Sequence, residues 1–467
     1  LKYFPAKSES RRQTVLTLLA MAAVFIGSRW YYWNLGVRFD DSTLITFWQF
    51  LDLSTLQTDL LESLFYLHAQ PPLFNLLLGI TVKIAPVDYS VLLHGFYLVG
   101  GFVLYLLLFQ ILRHRFSRPG AFFLATLLVV GPEAVAYENW LFYTWPVAIL
   151  LVAAAHALLR YEVSRQFRYA AIFLGAVTCV CLTRSVFHLV YFGVAGMLLL
   201  SIKAPRRAQV AKALVIALTV IGLLYLKNLA VFGFFGSSSW YGMNLWKTAS
   251  RIMPEKEIAA LVQDEKIPAI ALIRPFSALA DYPSPYHRVP AGFKNVAVLA
   301  RPEKANGERN LNHIAYVDIS RDYFRASSYV IRRQASGYLQ TVAKAISIYC
   351  RPFWDYGFFL QNRQSLRDVI VLYYLLQPPH FIELSLVVVF LGVLLNGRRG
   401  TAAAGRVSCF YQFLVLTIFY VFIVGNLLEF NENNRFRVMT DPLLFLAVLF
   451  AVSDIWAALK ERYRKKP

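Results

Sequence analysis

The stretch Pro72-Leu-Phe-Asn-Leu-Leu-Leu-Gly-Ile-Thr-Val-Lys-Ile-Ala-Pro86 decides the fold. It is apolar, yet it falls short of the ~20 residues a helix needs to cross the hydrocarbon core of a bilayer. The basic loop beyond the next apolar run assigns its place. If 72–86 crossed the membrane, Arg113-His114-Arg115 and Arg118 would face outward, against the bias that keeps Lys and Arg on the cytoplasmic side. If 72–86 lies at the outer interface, the run at 88–112 delivers that loop to the cytoplasm. The same parity then suits every later basic cluster: Arg160/Arg165/Arg168, Lys203/Arg206/Arg207/Lys212, Arg398/Arg399/Arg406 and the tail from Lys460 to Lys466.

Working outward from that stretch, the sequence predicts an all-α polytopic membrane protein with about ten spans, at 13–33, 88–112, 120–137, 144–160, 168–183, 187–202, 211–232, 380–396, 408–428 and 440–457. The basic start (Lys2, Lys7, Arg11, Arg12) places the N-terminus in the cytoplasm, and parity places the C-terminus there too. The first run lacks a small-residue cleavage site and reads as a retained span. It ends in an aromatic belt, Trp30-Tyr31-Tyr32-Trp33, and residues 43–66 read as an interfacial amphipathic helix.

Composition agrees. Of 467 residues 58% are hydrophobic and 16% charged, and the mean hydropathy is +0.49. The formal charge of +20 would suggest nucleic acid in a soluble chain. Here the basic residues flank spans, no basic-aromatic module is present, and no nucleic-acid partner is expected. Four cysteines, Cys179, Cys181, Cys350 and Cys409, form neither a disulfide framework nor a Cys-x-x-Cys site. The sequence has no Asn-x-Ser/Thr sequon, which favours a bacterial inner membrane over the endoplasmic reticulum.

Three regions follow. Residues 1–232 form a catalytic transmembrane module with juxtamembrane helices at 43–86. Residues 233–379 form an extracytoplasmic cap, rich in proline (Pro254, Pro268, Pro275, Pro283, Pro285, Pro290), with a helix expected over 316–348 and a core too thin to stand alone. Residues 380–467 supply the last spans and a basic cytoplasmic tail.

The predicted topology gathers polar residues on the outer face: Asp40 and Asp41 after the first span, His68 before the short apolar segment, Glu138 after the third span, and Arg184 and His188 between the fifth and sixth. Glu429, Glu432, Arg435 and Arg437 precede the last span. Ionisable groups at a membrane are costly, so their placement carries information. Each has a bland reading: helix capping for Asp40 or Asp41, a satisfied histidine, a plain ion pair for Glu138, a snorkelling Arg184. Their joint placement suits sugar transfer from a lipid-phosphate donor. A carboxylate can take the acceptor proton, further carboxylate or imidazole groups can hold a divalent cation, and basic side chains can neutralise the leaving phosphate.

At these residues the chain resembles the polyprenyl-phosphate-dependent glycosyltransferases of the C-type fold, which include protein O-mannosyltransferases and aminoarabinose and lipopolysaccharide sugar transferases. Asp40-Asp41 is similar to their acidic pair after the first span. His68-Ala-Gln-Pro71-Pro72-Leu73 resembles their Pro-Pro-Leu motif, and Leu182-Thr183-Arg184-Ser185 their Leu-Thr-Lys-Gly turn. Lys227-Asn228…Phe232-Gly233-Phe234…Ser237-Ser238…Gly242-Met-Asn244-Leu245 looks like the stretch that opens their large outer loop, and Glu432-Asn-Asn-Arg435-Phe436-Arg437 with Pro442 a closing element. The resemblance covers about 13–245 and 425–450.

The resemblance implies an inverting transfer in which Asp40, or its neighbour Asp41, is the general base. Glu138 and His68 would position the acceptor or, with Asp41, a metal such as Mg2+ or Mn2+. Arg184, His188, Lys227, Arg435 and Arg437 would bind the donor phosphate. The donor would be a polyprenyl-phosphate-linked sugar and the acceptor a glycan, glycolipid or protein at the periplasmic face. Two other classes remain open: a transporter or flippase of lipid-linked glycans, and a transferase of the O-antigen-ligase kind that uses a diphosphate donor. A transporter would put its charges near the bilayer midplane, often in repeated halves.

Overall fold

The structure, a computed structural model, describes residues 11–351, 362, 364–367, 369, 380–399 and 408–464. Lys2, Lys7, Arg406 and Lys466, which enter the charge parity, and most of 352–379 lie outside the described residues. Every regular element among the described residues is a helix. Extended pairing is confined to two isolated bridges, Asp40 with Trp140 and Glu303 with Arg309.

The chain is a multi-pass membrane protein. Five helices among the described residues are long and apolar enough to cross a bilayer: Arg11–Asn34, Tyr89–Leu112, Thr144–Ser164, Arg207–Phe232 and Cys409–Leu428. Arg118–Val130 and Pro132–Glu138 are long and apolar enough only when taken together, as one run bent by 56°. The bend falls where Gly131 is extended and Pro132 has no N–H to continue the ladder. The other four predicted spans also coincide with helices, Phe167–Thr183, Leu189–Ser201, Phe381–Arg399 and Asp441–Arg464. The first two are shorter because the chain turns between them at 184–188. Thr144–Ser164 lies at the centre of the bundle, against Tyr89–Leu112, Phe167–Thr183 and Cys409–Leu428. Ile26, Val99, Ile216 and Leu223 face outward, each more than half exposed, as a lipid-facing surface requires.

Residues 72–86 hold a helix of 12 residues, Leu73–Ile84. At 1.5 Å per residue it reaches ~18 Å, well short of the ~30 Å hydrocarbon core. The single helix expected over 43–66 is not found. Three short ones replace it: Thr43–Thr46, Leu53–Thr58 and Leu60–Phe65. Phe47 is extended and ends the first, and Asp52 starts the second by accepting the Thr55 N–H. Asn75 ties this segment to the helix after it, accepting the Leu51 N–H at 2.9 Å.

The expected helix at 316–348 is likewise two, Ala315–Arg333 and Ala335–Cys350, separated at Gln334. In the insert, Tyr241–Ala249 crosses Ala315–Arg333 so closely that a Cβ on Gly242 would lie 1.8 Å from the Ser320 carbonyl oxygen. The Gly242 N–H donates to Ser320 Oγ at 3.0 Å. Around this crossing Trp240, Met243, Trp246, Tyr316, Ile319 and Tyr323 form an apolar cluster separate from the bundle's, which Ala69 joins and Trp48 packs against. Pro254, Pro268, Pro283 and Pro290 each stand just before a helical turn, where a missing N–H costs nothing.

Candidate functional site

Where the bundle meets the insert, the structure encloses a cavity of about 1080 Å3. Its walls include Trp48, Gln70, Tyr143, the turn from Arg184 to Leu189, Gly233 to Ser238, Lys247, Arg274 to Ser277, and Glu429 to Phe436 in part.

Arg184 is the most informative of these. The helix Phe167–Thr183 ends as Arg184 turns extended (φ −131°, ψ 122°), which sends the guanidinium to the cavity wall. There it lies 4.5 Å from the Tyr143 ring centroid and 4.4 Å from that of Phe436. It is 5% exposed and forms no ion pair with a described residue. Burial lowers its pKa to about 10. A buried cation stacked between two rings, with no carboxylate on it, is an anion site in waiting.

On the bundle side, the two carboxylates of the cavity wall are each paired with a cation. Lys247 meets Glu429, and Arg435, 4.5 Å over the Phe142 ring, meets Glu432. Burial raises the Glu429 carboxyl above its ordinary value despite Lys247. For Glu432 burial acts in the same sense, but Arg435, Lys247 and Arg184 outweigh it and hold the carboxyl low. His188 also lines the cavity, its Nδ1 3.2 Å from the Tyr420 hydroxyl, and burial lowers its pKa. Of the five residues expected to bind phosphate, the structure thus brings Arg184, His188 and Arg435 together. Lys227 instead donates to the Leu67 carbonyl at 2.8 Å. Arg437 is held by Asp441 (2.9 Å) and by the carbonyls of Tyr349 (3.1 Å) and Arg351 (2.7 Å). Neither lines the cavity.

The expected metal set does not assemble. No group of three His, Cys, Asp or Glu side chains among the described residues is placed to hold an ion. His68 is fully buried, with Nδ1 2.8 Å from Ser239 Oγ and Nε2 2.9 Å from the Asn312 carbonyl. A carbonyl only accepts, so Nε2 carries the proton and Nδ1 takes the serine hydroxyl. No lone pair is left for a metal. Burial brings the His68 pKa down to about 3, so the ring is neutral. Glu138 is fully buried and spends both oxygens on Arg29, at 2.7 Å each. Asp41 completes no group of three with them.

His68 belongs to a strap instead. Its N–H and that of Ala69 donate to Asn312 Oδ1, the Ser239 N–H donates to the His68 carbonyl, and Ser238 Oγ donates to the Ala69 carbonyl at 2.6 Å. The His68-to-Leu73 and Lys227-to-Ser238 motifs therefore bind each other, and Gln70 reaches the cavity from the strap.

Asp40 lies off the cavity wall. Its backbone bridges Asn139 and Leu141, and its Oδ1 accepts from the Ser42 N–H (3.1 Å) and hydroxyl (2.6 Å). Its Oδ2 takes no hydrogen bond from a described residue. The carboxylates that line the cavity are Glu429 and Glu432.

No protein-family model matches the sequence, and no curated protein matches it. Among solved structures, the archaeal oligosaccharyltransferase AglB from Archaeoglobus fulgidus, in complex with an inhibitory peptide and a dolichol-phosphate, superposes with a TM-score of 0.40 at 12% identity. The match covers 95% of this chain and 52% of that one, so the chain spans about half the length of that structure. A likeness at this level is no ground for assigning activity.

Sequence reasoning missed Lys247, Tyr143 and the insert's cavity arginines. Lys247 sits three residues past Asn244, at the end of a matched motif, and that proximity was its one signal. The arginines lie in 246–379, where no motif is matched, and carried none.

Proposed function

We propose that the chain is a membrane glycosyltransferase that moves a sugar from a polyprenyl-phosphate donor to an acceptor hydroxyl, with inversion, at the outer face of a bacterial inner membrane. The observation that carries this reading is Arg184: a buried guanidinium, held between Tyr143 and Phe436, that faces the cavity without a carboxylate of its own. A phosphate there would supply the missing charge, and as the glycosidic bond breaks the leaving polyprenyl phosphate would gain charge against the same cation. Lipid-facing helices beside the cavity suit a donor with a long apolar tail. The motif order from Asp40 to Pro442 supports the C-type architecture.

The acceptor hydroxyl attacks the anomeric carbon as a carboxylate takes its proton. The sequence motif favours Asp40 for that role, and its open Oδ2 can accept a proton. A specific observation favours a second reading: Glu429 and Glu432 stand on the cavity wall and Asp40 does not. Asp40→Asn, Glu429→Gln and Glu432→Gln distinguish them, since the base variant loses transfer yet still binds donor.

Membranes carrying the full chain, supplied with sugar-labelled undecaprenyl-phosphate donors, should release undecaprenyl phosphate and pass label to an acceptor, and Arg184→Ala should abolish this. Consumption of diphosphate-linked donors alone, or passage of intact donor across the bilayer, would sink the assignment.

A further inference from the structure

The cavity holds more positive charge than one phosphate requires. The Lys247–Glu429 and Arg435–Glu432 pairs are each neutral, and Arg184 awaits the donor. On the insert side, Arg251, Arg274 and Arg309 line the same cavity and form no ion pair with a described residue. Three cations lining one cavity give its wall a positive potential that favours an anionic group.

The insert shapes this wall deliberately. Phe276, in the turn Arg274-Pro275-Phe276-Ser277, adopts φ +65°, a left-handed conformation that a residue with a Cβ takes at a cost. Arg309 holds the turn, donating Nη1 to the Phe276 carbonyl at 2.6 Å. The Trp48 ring stacks on Phe276 at 5.7 Å between centroids, and the Arg309 guanidinium lies 4.7 Å from the same indole. Arg251 rests 4.2 Å over the Phe430 ring. Ring contacts thereby position Arg309 and Arg251; Arg251 and Arg274 are both exposed to the cavity opening, and the Arg274 side chain makes no hydrogen bond to a described residue.

We propose that Arg274, with Arg251 and Arg309, forms a second oxyanion subsite on the insert wall, and that it reads a carboxylate or phosphate group on the acceptor. This rests on the transferase reading and adds the acceptor class to it: an acidic sugar or phosphorylated glycan. Arg184 belongs to the bundle wall, packed on Tyr143 and Phe436 of the bundle's core, and Arg274 to the insert. The two subsites therefore meet different molecules, which is why the second charge is assigned to the acceptor.

The test uses the purified full chain in nanodiscs, with citronellyl phosphate as donor probe. Trigalacturonate and mannose 6-phosphate serve as acidic acceptor probes, against trigalactose and mannose, by isothermal titration. At least one acidic probe should bind alongside citronellyl phosphate while its neutral counterpart does not. Arg274→Ala should weaken that probe about ten-fold or more, as loss of a charged hydrogen bond does, and Arg274→Lys should recover part of it. Equal binding of acidic and neutral probes, or no effect of Arg274→Ala, overturns the inference. If Arg274→Ala weakens citronellyl diphosphate and spares the acidic sugars, the inference falls, while the transferase reading stands as long as citronellyl phosphate still binds through Arg184. If citronellyl phosphate does not bind, or ignores Arg184→Ala, the transferase reading itself fails and takes the subsite with it.

Discussion

Arg29 and Glu138 meet through two parallel hydrogen bonds, Nε to Oε1 and Nη2 to Oε2, each 2.7 Å long. The pair joins the first span to the end of the bent one, with Arg29 also donating to the Val129 carbonyl at 3.1 Å. Removing one partner leaves a buried charge uncompensated, a loss of roughly 3–5 kcal/mol. Glu138→Ala should therefore lower the unfolding temperature in detergent, and Arg29→Leu/Glu138→Leu should recover much of the loss. A Glu138→Ala chain that melts normally but fails to bind acceptor would return this residue to the site.

Gly101 tests the same pair without touching its charges. A Cβ at this position would fall 1.9 Å from Glu138 Oε2. Gly101→Ala should push the carboxylate off Arg29 and lower the unfolding temperature, whereas Gly95→Ala, with open space around it, should not. Equal melting curves for the two variants would contradict the packing.

Donor affinity should follow Arg184. Arg184→Ala removes charge-assisted contacts worth about 1.5–3 kcal/mol, so the dissociation constant of citronellyl phosphate should rise about ten- to 150-fold. Arg184→Lys keeps the charge but loses the flat stacking between Tyr143 and Phe436, and should fall in between. Calorimetric titration of the three proteins gives the order.

Stability should also depend on pH through His68. Burial holds its folded-state pKa at about 3, below the ordinary 6.5 of the unfolded chain, so the unfolded state binds the extra proton. Stability is then full above pH 6.5 and falls as pH drops toward 3, by up to about 1.4 kcal/mol per pH unit per group. His313, lowered by burial to about 4, acts in the same direction. His68→Gln should flatten the slope between pH 6.5 and 5 without removing it; an unchanged slope would mean that His68 titrates normally.

The bundle was legible because its signals are local. Span length, apolar composition and the sign of neighbouring loops lie within about 30 residues of one another, and each predicted span falls on a helix or, at 120–137, on a bent pair of helices. The same locality explains the misses. Asp52 and Phe47 break 43–66 through cap and backbone geometry that an amphipathic pattern over the whole segment conceals. The partner of Glu138 lies 109 residues upstream, and those of His68 lie 171 and 244 residues downstream, so their commitments do not appear in any sequence window. Arg184 was found through its motif. Arg274 faces the same cavity from an insert whose fold no nearby pattern encodes.

The strap at 68–70 has a consequence for biosynthesis. Its partners Ser238, Ser239 and Asn312 are all made long after it. A ribosome making this chain releases His68 long before these partners exist, since six further helical runs, the bent pair counted as one, from Tyr89–Leu112 to Arg207–Phe232, come before Ser238. The cavity wall at Gln70 is thus completed late, once translation has passed Asn312. A nascent chain stopped before that residue would lack the Asn312 contacts that close the strap.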